Sequence, residues 1–151
     1  MKPSVHVATS VLLATALYAY SGSVPVAASC LVSGVLIDLD HVLDFHIFSG
    51  ERLSIANFFS WCNDGRWQKI SLIFHSYELF GILCAVAYYL DNALLRGMLW
   101  GAGLHLLIDQ IANTREYRLS PWFYFLGYRI AVGFRRERLL FALSPVVTDP
   151  E

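Results

Sequence analysis

The stretch VPVAASCLVSGVLIDLDH, residues 24–41, decides the fold, because a long apolar run ends there in three ionisable side chains. At a rise of about 1.5 Å per residue, a helix of about 18 residues is about 27 Å long, close to the roughly 30 Å hydrocarbon core of a bilayer. Irregular backbone cannot face lipid, because its polar groups would have no hydrogen-bond partners there. The run therefore predicts a helix that spans a membrane.

Three more apolar runs flank this one, at residues 4–20, 70–90 and 93–112. Short turns connect the runs in two pairs, through Ser-Gly-Ser at 21–23 and through Asp-Asn at 91–92. Helices joined by such short turns pack as antiparallel neighbours. The sequence therefore predicts an all-α fold, a four-helix transmembrane bundle that forms one domain over residues 1–151.

The composition agrees with a membrane protein and excludes some other classes. Of the 151 residues, 56% are hydrophobic and 15% are charged, whereas a soluble domain usually carries about 25% charged residues. The net charge of −1 gives no basic surface for nucleic acid. The three cysteines lack the spacing of a metal site or a disulfide framework. Nothing in the sequence specifies an oligomeric state.

Positive charges predict the orientation of the bundle. Of the 11 Lys and Arg residues, ten fall on one side of the predicted membrane and only Arg96 falls near the other. All others precede the first run, lie between the second and third, or follow the fourth. Basic residues mark the cytoplasmic side of a membrane protein. We therefore expect the N-terminus, the loop at residues 44–69 and the C-terminus in the cytoplasm.

Two further segments contain apolar residues without forming a predicted span. Residues 121–134, PWFYFLGYRIAVGF, follow Ser120, a typical N-cap residue, and begin with proline, which favours the first helical position. The segment is too short to cross a bilayer, so the sequence predicts a C-terminal interfacial amphipathic helix over about 121–136. The loop 44–69 is either a lid on the membrane surface or an ordinary amphipathic connector.

Ionisable side chains within the predicted spans fall near the cytoplasmic ends, except Asp91 and Arg96 at the opposite boundary. Such groups are expensive inside a membrane and are therefore candidates for function. They are His6, Asp38, Asp40, His41, His75, Glu78, His105 and Asp109. Spacings of three or four residues put His105 with Asp109, His75 with Glu78, and Asp38 with His41 on shared helix faces. On a regular helix Asp40 points elsewhere.

This mixture of imidazole and carboxylate groups predicts a site for a divalent metal. Zinc fits best, and manganese or iron also accepts these donors. The number of candidate ligands exceeds the four that one tetrahedral zinc ion needs, so the site has room for one or two ions. The alternative is a structural network of polar side chains without a metal.

The order of these motifs resembles a known family. An early His6, the sequence Asp38-Leu39-Asp40-His41, the pair His75-Ser76, and H-x-x-x-D from His105 to Asp109 resemble the membrane-bound metal-dependent hydrolases. These are small bacterial inner-membrane proteins, and the resemblance covers roughly residues 1–112. It implies metal ligation by His6, Asp38, Asp40, His41, His75, His105 and Asp109. The chain departs from the family in lacking a proline before the first aspartate and an arginine-containing stretch before His75.

The resulting expectation is a multi-pass protein of the bacterial inner membrane that hydrolyses a lipid or a lipid-linked ester or phosphoester. A bound metal would activate water, and Glu78 or Asp40, whichever is not a ligand, would serve as the catalytic base. Membrane lipids are the expected partners. The sequence contains neither H-E-x-x-H, the motif of zinc proteases, nor G-x-S-x-G, the motif of serine hydrolases. The alternative function is binding or transport of a divalent metal without hydrolysis.

Overall fold

A computed structural model describes residues 3–116 and 118–140. The helices are α1 (Pro3–Ser21), α2 (Val24–Leu36), α3 (Leu39–Phe48), α4 (Ile55–Asn63), α5 (Tyr77–Leu90), α6 (Ala93–Glu116), α7 (Leu126–Ala131) and α8 (Arg136–Leu139). No strand occurs within these two ranges, which contain only two isolated bridges. The prediction of an all-α fold is confirmed.

Two helical stretches are long and apolar enough to cross a membrane, Pro3–Ser21 and Val24–Phe48, the second of which combines α2 and α3. Only 17% and 28% of their apolar windows are buried within the molecule, so most of this apolar surface needs another covering. Helix α5 has 14 residues, about 21 Å, which is too short. Helix α6 is long enough but carries Arg96, Asp109 and Arg115. Of the four predicted spans, two are candidate spans within the described residues, and the other two are not confirmed.

Glycines bring α2 and α6 into close contact. Gly97 and Gly101 form a G-x-x-x-G pattern on α6, and a Cβ atom at either position would clash with the carbonyl oxygen of Val26 or Cys30 on α2. Small residues at this spacing let two helix backbones approach. This contact brings the half of α6 that carries His105 and Asp109 against the C-terminal end of α2, where Gly34 lies.

The predicted helix over 24–41 is interrupted at residues 37 and 38. At the junction the backbone N–H of Asp40 donates to Ile37, and that of His41 donates to Asp38. These hydrogen bonds connect residues three apart, a tighter turn than the α-helix has. Asp38 therefore lies between α2 and α3, and the regular spacing expected for Asp38, Asp40 and His41 does not apply across the junction.

The predicted helix over 70–90 is wrong for its first seven residues. Helix α5 begins at Tyr77, and the Ser76 side chain accepts the Leu79 N–H at 3.3 Å as the N-cap. Carboxylates on α3 bind backbone N–H groups between residues 71 and 75, which therefore do not join the helix. His75 precedes α5, so the expected shared helix face of His75 and Glu78 is also wrong.

The predicted interfacial helix over 121–136 is wrong as well. Residues 121–124 form turns, α7 has six residues and α8 has four. Phe123 and Tyr124 are buried in the main apolar core rather than on a lipid-facing surface, and Arg129 is 0% exposed. The tail packs onto the bundle because its aromatic side chains fill this core.

The segment 44–69 is partly helical and packed. Helix α3 continues to Phe48, and α4 follows at Ile55–Asn63. The buried Trp61 of α4 contacts Phe45 edge-on, with ring centroids 5.4 Å apart, and lies 4.0 Å from Trp67. Trp67 in turn contacts His41 at 5.3 Å. The aromatic residues of the loop therefore reach the region of the candidate ligands.

Candidate metal centre

Side chains from four parts of the chain meet at one end of α2 and α6. We call this set the His/Asp cluster; its members are His6, Asp38, His41, His75, His105 and Asp109. The Nε2 atom of His6 lies 3.1 Å from Oδ1 of Asp109. The Nε2 atoms of His75 and His105 lie 3.5 Å and 3.4 Å from Oδ1 of Asp38. All six belong to the predicted ligand set.

The imidazole rings of His75 and His105 are oriented through their second nitrogen. His105 Nδ1 lies 2.8 Å from the carbonyl oxygen of Gly34, to which it donates. His75 Nδ1 lies 3.1 Å from Oδ2 of Asp40. With each Nδ1 holding a proton, the Nε2 lone pairs face each other at 3.2 Å. Metal-binding histidines are commonly held in this manner, with the outer nitrogen hydrogen-bonded to a carboxylate or carbonyl.

The ring of His6 stacks on that of His105 and brings a third imidazole beside those of His75 and His105. The rings of His6 and His105 are nearly parallel, 15° apart, with centroids separated by 3.8 Å. His6 Nδ1 is buried and has no hydrogen-bond partner among the described residues. Helix α1 thus contributes one imidazole, His6, whose Nε2 atom faces the carboxylate of Asp109.

The potential ligand atoms form two overlapping groups. One contains His6, Asp38, His105 and Asp109, and the other contains Asp38, His41 and His75. Within each group the ligand atoms all lie within 4.8 Å of one another. A buried group of imidazole and carboxylate donors at this separation could hold a metal ion, and Asp38 belongs to both groups.

Asp40, predicted as a ligand and as a base, lies behind His75. Its Oδ2 atom accepts the backbone N–H groups of Phe74 at 2.6 Å and His75 at 3.1 Å, besides the His75 ring. The side chain is 1% exposed and belongs to neither group of potential ligands. In this position Asp40 orients the ring of His75.

Asp44 was not singled out from the sequence, yet it supports the same segment. Its Oδ2 atom accepts the N–H groups of Ser71 at 2.7 Å and Leu72 at 3.2 Å, and Oδ1 accepts a short hydrogen bond from the Ser71 hydroxyl. Leu72 has a φ of 38°, a conformation unfavourable for leucine that its surroundings must stabilise. The four-residue spacing of Asp40 and Asp44, which puts both on one face of α3, is the sequence signal for this pair.

Glu78, the other predicted base, is not brought into the His/Asp cluster. Its two carboxylate oxygens accept the backbone N–H groups of Leu126 and Gly127, each at 2.9 Å. These donors lie at the start of α7, where N–H groups lack partners within the helix. Glu78 therefore ties the C-terminal segment to α5.

The His/Asp cluster is accessible on one side. The side chains of Asp38 and His41 are 26% and 30% exposed, and they lie 3.7 Å apart. His6, His75, His105 and Asp109 are all nearly inaccessible, with exposures of 1–3%. A molecule from outside would therefore reach the cluster first at Asp38 and His41.

The C-terminal segment contains a buried charged side chain, that of Arg129. Arg129 is 0% exposed, and its guanidinium carbon lies 5.4 Å from the centroid of the Phe123 ring. None of its three side-chain nitrogens has a hydrogen-bond partner within residues 3–116 and 118–140. Burial lowers the pKa of Arg129 to about 10, although the charges of Asp40, Glu78 and Asp44 act in the opposite direction.

Comparison with known proteins adds no assignment. No family model matches the chain, and no match was found among curated proteins or solved structures. The resemblance to membrane-bound metal-dependent hydrolases stays a prediction. Function is therefore inferred from the side chains of this chain.

Proposed function

We propose that the protein is a membrane-embedded, metal-dependent hydrolase of a lipid or lipid-linked ester or phosphoester. The observation that carries this proposal is the convergence of four imidazoles and two carboxylates, most of them buried, from distant parts of the chain. Two of the imidazoles have their outer nitrogen hydrogen-bonded and their inner nitrogen directed at the carboxylates. The two Nε2 atoms lie 3.2 Å apart, a separation that two nitrogen ligands about 2.0–2.1 Å from one tetrahedral zinc ion would have.

The charge of the site favours a divalent cation. Asp109 and the neighbouring Asp40 are each nearly inaccessible, and Asp38 is three-quarters buried. Buried carboxylates are unfavourable unless an opposite charge compensates them. Nitrogen and oxygen donors without a cysteine suit zinc best, with manganese or iron as alternatives.

His6, Asp38, His105 and Asp109 could hold one ion and leave His41 as a base; with His41 as a ligand, the donor set has room for a second ion. The two groups of ligand atoms share only Asp38, so Asp38 would be the ligand common to both ions if two were bound. A divalent ion bound there would polarise a carbonyl or phosphoryl oxygen and activate a water molecule. This chemistry is the reason for proposing hydrolysis.

His41 is the residue best situated to accept a proton from the attacking water. A general base must come within hydrogen-bond reach of the water that it deprotonates. His41 is at the accessible side and its Nε2 atom lies 3.7 Å from Asp38. The sequence-based candidates, Asp40 and Glu78, instead use their carboxylates on backbone N–H groups.

A position in the bacterial inner membrane agrees with the two long apolar stretches, Pro3–Ser21 and Val24–Phe48. In this proposal the chain is multi-pass, the His/Asp cluster faces the cytoplasm, and both termini are cytoplasmic. A backbone bridge joins the loop to the tail at Lys69 and Arg135, so these two basic residues lie on the same side of the molecule, as the positive-inside rule expects. The final residues, 141–151, lie outside the described residues.

The test is metal-dependent turnover. Purified protein, stripped with a chelator, should hydrolyse none of a panel of phospholipids and polyisoprenyl phosphates, and re-adding zinc or manganese should restore hydrolysis of at least one. His41→Gln should abolish turnover; an unchanged number of bound zinc ions would make His41 the base, and loss of one ion per chain would make it a ligand. Saturable zinc uptake into proteoliposomes, together with no hydrolysis, would contradict the proposal and support transport.

A further inference from the structure

An open groove runs along the outside of the bundle where α2 and α5 diverge on the surface of α6. Its volume is about 470 Å³, and its walls include Val32, Leu36, Leu79, Leu83 and Met98. Val32 and Leu36 are about half exposed, so the groove opens sideways, along the length of the helices. If the two candidate spans lie in a bilayer, this opening faces lipid.

The walls offer no free hydrogen-bonding side chain. The two polar residues that line the groove are Ser29 and Ser33. The Ser29 hydroxyl donates to the carbonyl of Pro25 at 2.7 Å, and the Ser33 hydroxyl lies 3.2 Å from the carbonyl of Met98. Because both donors are used within the helices, a ligand in the groove would meet only apolar surface and must itself be apolar there.

One end of the groove reaches the His/Asp cluster. Ile37, Phe74 and Leu106 line that end, and each is next in sequence to a residue of the cluster. From Leu94 to Leu106 the groove follows α6 over 12 residues, about 18 Å at the helical rise. A ligand along this path would place one end beside the cluster and the rest among aliphatic side chains.

The dimensions favour a hydrocarbon chain over an enclosed helix. Dividing about 470 Å³ by about 18 Å leaves a mean cross-section of about 26 Å². An α-helix with side chains is about 10–12 Å across, which is roughly 80–110 Å². The groove is therefore too narrow to enclose a whole helix and wide enough for an extended chain; a helix of a second copy could enter it only with its side chains.

We propose that the groove holds one acyl chain of a membrane phospholipid, with the ester or phosphoester of that lipid directed to the His/Asp cluster. This inference rests on the proposed function only for the reaction, since the chain would bind there whether or not it is hydrolysed. The groove holds the chain in one position, which a fluid bilayer does not. Its role is to orient the lipid and to select chains by their length.

The first test measures lipid retention by native mass spectrometry. Protein in mild detergent is mixed with dioleoylphosphatidylglycerol, and wild type should retain one phospholipid per chain. Leu83→Trp, which fills the groove from α5, should lower that retention at least fivefold. Ile82→Trp is the matched control, because Ile82 is the adjacent residue of α5, is 58% exposed and does not line the groove.

Met98→Phe fills the groove from α6 and should reproduce the loss if Leu83→Trp fails to fold. Equal retention in wild type and in both filling variants, with the helix content unchanged, would overturn the proposal. A dimer in place of the bound lipid would overturn it as well.

The second test separates the groove from the reaction. With zinc restored, Leu83→Trp should lower turnover of a diacyl phospholipid at least tenfold, but should leave a short-chain soluble analogue with the same headgroup within twofold of wild type. Loss of lipid retention without turnover of any substrate would leave the groove standing and refute the hydrolase. Equal losses on both substrates would refute chain selection by the groove.

Discussion

The His/Asp cluster and Arg129 are both buried, but they are supported in opposite ways. In the cluster, His75 and His105 each have an outer hydrogen bond, and their Nε2 atoms converge on carboxylates. The guanidinium of Arg129 has donors on three nitrogens and no hydrogen-bond partner among the described residues. Polar groups in the cluster are arranged around a common centre, whereas Arg129 lies over the Phe123 ring and is compensated only through the charges of Asp40, Glu78 and Asp44. The difference separates a site organised for a ligand from a buried charge that weakens the fold.

The largest expected effect is the loss of metal from the His/Asp cluster. His75→Ala combined with His105→Ala removes the two facing Nε2 atoms, so bound zinc, measured by mass spectrometry of the purified protein, should fall to background. His105→Ala or Asp109→Ala alone should weaken zinc binding by more than about 100-fold, beyond the loss typical of supporting residues. His46→Ala is the control, since His46 belongs to neither ligand group. Stoichiometric zinc in the double variant would remove the metal centre.

A smaller loss is expected from Asp40→Ala. Asp40 orients the His75 ring without belonging to either ligand group, and removal of such a partner typically lowers metal affinity about 10–100-fold. Competition with a chromogenic chelator measures this affinity directly. An effect as large as that of His105→Ala would mean that Asp40 is itself a ligand.

Arg129→Met should leave zinc binding unchanged and should not weaken the fold. Replacing a buried ion pair with apolar side chains of similar volume is often neutral or stabilising by about 1–4 kcal/mol, and we expect the same direction for a buried charge without a hydrogen-bond partner. Chemical unfolding in mild detergent gives the free energy of unfolding of both proteins. A loss of more than about 2 kcal/mol, with intact helix content, would show that Arg129 has a strong partner after all.

The smallest expected effect is on how the stability difference between wild type and Arg129→Met changes with pH. Because burial lowers the pKa of Arg129 to about 10, the charged form opposes folding below that pH, and deprotonation relieves the opposition above it. The stability of wild type relative to Arg129→Met should therefore be constant from pH 7 to 9 and should rise from about pH 10 upwards. A relative fall with rising pH would mean that the charge of Arg129 stabilises the folded chain.

The sequence predicted the His/Asp cluster because ionisable residues within apolar runs are rare and their positions along each run are easily compared. It also predicted the helix ends at the two short turns, near Ser21 and Leu90. It did not predict that residues 70–76 leave the helix, because the cause is a tertiary contact with Asp40 and Asp44. In the tail, the apolar pattern alone did not distinguish a membrane surface from the protein core, where Phe123 and Tyr124 lie.

The two hydrogen bonds that orient His75 and His105 differ in how easily evolution can remove them. His75 depends on the side chain of Asp40, so one nucleotide change in that codon can abolish its orientation. His105 depends on the carbonyl oxygen of Gly34, which every amino acid supplies. Only a shift of the backbone would remove that acceptor, and a side chain at Gly34 would cause one by colliding with Ser10 of α1. In an alanine scan, Asp40→Ala would reveal the hydrogen bond that orients His75. Gly34→Ala would instead show a packing defect, although the same position orients His105.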